Sequence, residues 1–183
     1  GDVTYLTTMT DGIESVTTEV DVDVDVAASL AFNLTSTGNL GDVNITTASL
    51  SDTVDISATG VMGHVNVDTH AGGDVINIVA GMTDVGATPE FIGSDILSLS
   101  VNTGQDNDTV VIKTGAVLGD VVFNTGASVL TDSVIFNATG DVGNITISAS
   151  YALFLDMDIA GSAKDLTLTT GAGTDFINIV IDD

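Results

Sequence analysis

A chain of 183 residues is long enough for one domain with a real core, and at 44% apolar but only 4% aromatic residues that core must come from Val, Ile, Leu and Ala. Lys113 and Lys164 are the only cations beside two histidines, against 26 acids and a formal net charge of −24. The basic footprint of a nucleic-acid binder is missing, an anionic membrane surface is disfavoured, no apolar run approaches the ~20 residues of a membrane span, and without cysteine there is no disulfide or thiolate metal site.

In chain order, the first residues carry no basic and apolar leader, as in a processed product or an excised segment. Residues 19–29, "EVDVDVDVAAS", alternate acid and valine and predict an exposed first strand with its acids outward. A period then takes over. The segments "GDVNI" (41–45), "SDTVDI" (51–56), "GHVNV" (63–67) and "GGDVINI" (72–78) place Val43, Val54, Val65 and Ile76 eleven residues apart. Residues 80–94 break the pattern, contain the only proline (Pro89), and predict a loop insertion leaving the regular structure. The pattern resumes in "DILSLSV", "NDTVVI", "GDVVF", "TDSVIF", "GNITI", "KDLTL" and "TDFINI".

Each segment is a short alternating strand led by Gly, Asp, Asn or Ser, and none shows a sustained 3.6-residue apolar period. Hairpins would not keep the same turn chemistry before every strand, whereas a coil repeats its corners by construction. The predicted fold is therefore all-β, one parallel β-solenoid domain over residues 1–183, right-handed by the general crossover rule. Short Gly-containing corners alternate with longer ones rich in Gly, Thr and Asp, so one coil is two strands and about 22–24 residues. About seven coils at the ~4.8 Å sheet spacing make a rod on the order of 35 Å long.

Asp52, Asp74, Asp108, Asp132 and Asp175 all lead the second kind of strand, so a solenoid stacks them in one column. Bare carboxylates ~5 Å apart repel, and the column needs protons, interleaved donors or cations. With almost no lysine, hard cations on oxygen ligands are the expected answer, against the alternative that Asp and Gly serve the turn backbone.

Three corners add glycines: "HAGGD" (70–74), "TGQDND" (103–108) and "TGAGTD" (170–175). Here the chain resembles the calcium-binding RTX family, whose nonapeptide is Gly-Gly-x-Gly-x-Asp-x-apolar-x. Gly171, Gly173, Asp175 and Ile177 match it, as do Gly104, Asp108 and Val110 with Asp106 at the fourth position, and Gly72, Asp74 and Ile76. The matches are isolated, not in tandem. A second resemblance, carried by the Thr-, Val-, Ala- and Asp-rich composition and by residues 1–22 with Gly12–Ile13–Glu14, is to bacterial surface-layer and related RTX surface proteins. These resemblances imply bound Ca2+ and an extracellular structural role.

Other candidates carry less. His64 and His70 read as polar corner residues, and Met and Phe as core fillers. The sequons at Asn33, Asn44, Asn107, Asn137 and Asn144 are what a Thr-rich chain yields by chance. No nucleophile–base pair, phosphate loop or arginine is present for a polysaccharide-acting enzyme, and Thr-x-Thr does not recur in every coil as an ice-binding array would need. The expected role is non-catalytic: an extracellular unit that self-assembles head-to-tail or laterally into a fibre or surface layer, stabilised by calcium. The alternative is a calcium-dependent adhesin module, with cell-surface polysaccharide as its partner.

Overall fold

A computed structural model describes residues 22–25, 29–83, 90–91, 96–115, 118–127 and 130–182. The N-terminal segment resembling surface-layer proteins lies outside these residues up to position 21, and of the Asp–Val run only the backbone of 22–25 is described.

Before the insertion the strands are β1 (Val22–Asp25), β2 (Ala31–Ser36), β3 (Val43–Thr46), β4 (Thr53–Ala58), β5 (Met62–Asp68) and β6 (Val75–Ala80). The insertion holds β7 (Met82–Thr83) and β8 (Glu90–Phe91). After it come β9 (Ile96–Asn102), β10 (Thr109–Thr114), β11 (Leu118–Asn124), β12 (Thr131–Ala138), β13 (Ile145–Ser148), β14 (Ala152–Ile159), β15 (Leu166–Thr169) and β16 (Phe176–Ile181). Two seven-stranded parallel sheets result, β1-β3-β5-β9-β11-β13-β15 and β2-β4-β6-β10-β12-β14-β16. The predicted parallel β-solenoid is the fold, without helix among the described residues.

Because the chain visits the two sheets in turn, each strand pairs with the one a full coil away. Val43 aligns with Val65 and Ala31 with Thr53, both 22 residues on. Thr109 aligns with Ser133, 24 residues on, and Ser133 with Phe154, 21 on. Across the insertion the step is 34, Val65 to Leu99 and Val75 to Thr109, yet the register on either side is unbroken. The insertion thus adds twelve residues to one coil without shifting any strand face. Its β7 and β8 pair antiparallel, Met82 with Phe91, so the expected loop contains a short hairpin.

Strict alternation builds the core. Strand β4 reads half-buried, buried three times over, placing Val54, Ile56 and Ala58 inside. The two inner faces meet in one apolar layer that includes Phe32, Phe123 and Phe136, with Phe123 and Phe136 edge-to-face at 6.0 Å. The expectation that all Phe fill the core fails at two places. Phe154 and Phe176 face outward from neighbouring strands and stack at 4.9 Å, because their even register puts them on the solvent side of the pleat.

Candidate functional site

The long corners, which lead from the first sheet to the second, hold the predicted aspartate column. Asp52, Asp74, Asp108 and Asp132 are stacked and at most 2% exposed, so their side chains point inward and not along an outer edge. The backbone N–H of Leu30 donates to Asp52 Oδ1 at 2.6 Å, that of Asp52 to Asp74 Oδ1 at 2.8 Å, and that of Asp74 to Asp108 Oδ1 at 2.9 Å. Asp108 N–H donates to Asp132 Oδ1 at 3.2 Å. Leu153 takes the next place, and its N–H donates to Asp175 Oδ1 at 2.9 Å. Each carboxylate therefore serves the corner backbone of the coil before it.

Sequence reasoning missed the other half of this site. Thr47, Thr69, Thr103 and Thr125 form a second buried column at the start of the same corners, their N–H groups donating to Asp68, Asn102, Asn124 and Ser148 of the following coil. Thr47 Oγ1 donates to Asp52 Oδ2. The hydroxyls of Thr69, Thr103 and Thr125 and the Oδ2 atoms of Asp74, Asp108 and Asp132 are buried outside hydrogen-bond geometry, each hydroxyl beside the carboxyl of its own corner. The legible signal was Thr-x-x-x-x-Asp, present at 47–52, 69–74, 103–108 and 170–175. The corner of Thr125 and Asp132 keeps the pair at a longer spacing, and in the next corner Thr and Asp leave together, replaced by the buried Ala149 and Leu153.

Burial pushes the carboxyls up: Asp74 to about 6 and Asp108 to about 7, with Asp132 also raised, by desolvation above all. The neighbouring carboxylates add to the rise at Asp74 and Asp108, while the threonine hydroxyl and the backbone N–H oppose it.

The glycines act through geometry. His70, Gly104 and Gly126 follow the column threonines and all take positive φ, at 62°, 80° and 64°. At Gly104 a Cβ would run into the carbonyl of His70. Gly72 has φ 139°, and at Gly171 and Gly173 a Cβ would run into Ser150 and Ala152 of the coil before. Asp106 sits exposed at φ 81°, outside the buried stack but close enough for its charge to act on Asp74. His70 lies in its corner as expected, 3.2 Å from the Asp68 carboxylate. His64 instead lies within β5, its Nδ1 2.7 Å from Ser98 Oγ.

On the outer faces, carboxylates alternate with amides. Asn77 donates to Asp55 at 2.7 Å, Asn178 to Asp156 at 2.8 Å and Asn102 to Asp68 at 3.0 Å. Exposed Asp141 accepts from Ser162 N–H and Oγ, which holds its carboxyl below the usual range.

Calcium takes six to eight oxygen ligands. Among the described residues no three His, Cys, Asp or Glu side chains converge to hold a metal ion. In the buried column one oxygen of each carboxyl is already committed to a backbone N–H, and the corner glycines are accounted for by close coil-to-coil approach. The donor set fits an internal hydrogen-bonded ladder and not a calcium cage. No protein-family model, curated protein or solved structure matches the chain.

Proposed function

We propose that this chain is a non-catalytic structural element, a stretch of β-solenoid that assembles with further coils into a fibre or surface layer. The observation that carries this is the apolar face at β15 and β16. Leu166, Ile177 and Ile181 occupy core positions in register with Ile145, Leu155 and Ile159, which are at most 1% exposed, yet they are themselves 37%, 43% and 40% exposed. Among the described residues no strand pairs with the outer edges of β15 and β16, and such an edge is a template for another strand. Contacts of this head-to-tail kind do not close and so propagate.

The resemblance to RTX surface proteins adds an extracellular setting, and the parallel solenoid is compatible with it. Calcium support of the assembly belongs to that resemblance, not to the corner geometry. Negative-stain imaging of the chain and of Ile177→Asp, each with millimolar calcium and with chelator, tests the assembly. Filaments or sheets are expected from the chain and single particles from the variant. Single particles from both would remove self-assembly, and dispersal by chelator alone would place calcium at the contacts between units.

A further inference from the structure

We propose that the buried corner column is a proton-bearing ladder and no calcium site: Asp74, Asp108 and Asp132 share protons with the threonine hydroxyls facing them, and the solenoid takes up protons as it folds.

Burial without a counter-charge favours this arrangement. Each Oδ1 accepts a backbone N–H, which suits a carboxylate and a protonated carboxyl's carbonyl equally. Each Oδ2 is buried with only the threonine hydroxyl of its own corner beside it, and a charge left there with so little solvation is costly. A proton on Oδ2 removes the charge and supplies a donor to the Thr69, Thr103 or Thr125 hydroxyl beside it. Thr47 Oγ1 shows the other half of the arrangement. It lies 3.3 Å from the carbonyl of Thr69 as well as against Asp52, so a column hydroxyl can direct its own hydrogen along the stack.

The charged groups facing these carboxyls are themselves acids. Asp74 faces Asp52 and Asp106, and Asp108 faces Asp74 and Asp132. His70, in the same corner as Asp74, lies 3.2 Å from the Asp68 carboxylate. Without a positive partner the raised positions of Asp74, at about 6, and Asp108, at about 7, follow from the geometry. The joint loss of Thr and Asp at Ala149 and Leu153 marks the pair as one unit within a coil. An ion bridging successive coils would not require the threonine.

The test is carbon-13 NMR of the aspartate carboxyls in the full chain between pH 4 and 9, first with chelator and then with millimolar calcium at matched ionic strength. Asp74 and Asp108 titrating with midpoints near 6 and 7, and Asp132 above the usual carboxyl range, all unmoved by calcium, are expected. Titration of every carboxyl below pH 5, or calcium that drives these midpoints down, would overturn the ladder. Asp74→Asn and Asp108→Asn supply a second readout, since an amide mimics the neutral carboxyl. Each should flatten the dependence of melting temperature on pH between about 4 and 7, while the exposed Asp165→Asn should not. A calcium-dependent stabilisation of the parent that either variant abolishes would equally overturn the proposal. If the variants fail to fold, the NMR titration of the unsubstituted chain decides. Neither readout depends on whether the chain forms filaments.

Discussion

At the scale of single residues, the corners work by backbone conformation and burial. His70, Gly104 and Gly126 stack in left-handed conformation, one above another, at φ 62°, 80° and 64°. A Cβ at Gly104 would both strain the backbone and strike the His70 carbonyl, whereas at Gly38 nothing lies within 4 Å. Gly104→Ala should therefore cost about 2 kcal/mol or more in urea unfolding, against less than about 0.5 kcal/mol for Gly38→Ala. The three RTX-like corners were legible because Gly and Asp stand out in sequence. Their common cause was not, since Gly171 and Gly173 avoid clashes with Ser150 and Ala152, contacts that exist only once coils stack.

At the scale of strands and coils, alternation determines which side chains enter the core, and corner length sets only how far the chain travels before returning. Coils of 21, 22, 24 and 34 residues all keep register, because the extra residues lie at corners, between the strands that carry the sheet pairing. Deleting residues 82–93 shortens the 34-residue coil to 22 and should leave cooperative unfolding intact, with stability changed by less than about 1 kcal/mol, since loop-closure entropy varies slowly with length. Equilibrium urea denaturation checks this, and loss of the single transition would show that the insertion holds the stack together. The period of eleven made these strands readable. The outward Phe154 and Phe176 were missed because an isolated apolar residue carries no sign of its face until the register of β14 and β16 is known.

At the scale of the molecule, charge sets the response to solvent. With a net charge of −24 the compact state repels itself, so raising salt from ~0.01 M to ~0.15 M, which shortens the screening length from ~30 to ~8 Å, should raise the melting temperature. The pH dependence adds to this in a defined direction. Asp74 and Asp108 bind protons more tightly folded than unfolded, so the folded state carries more protons between their ordinary carboxyl value of 3.8 and about 7. Stability is then lowest above about pH 7, rises as pH falls through 7 and 6, and gains nothing further from these groups below about 4. Differential scanning calorimetry from pH 8 to 4.5 should show melting temperature climbing toward acid. A fall over that range would contradict both the charge and the ladder arguments.

By itself the sequence determined the architecture. Period-two alternation and corners recurring at a constant spacing admit only a chain that winds, because those signals are local and repeat in every coil. It also determined that five aspartates would stand in one column, since equal spacing forces equivalent corners into line. What it left to the tertiary structure was which way those aspartates point and what satisfies them. Inward burial, the backbone N–H of the preceding coil and the facing threonine come from residues 22 to 34 positions away or across the corner, and only stacking brings them together. The same carboxylates turned outward would meet water and cations. Turned inward, they meet amides, hydroxyls and one another.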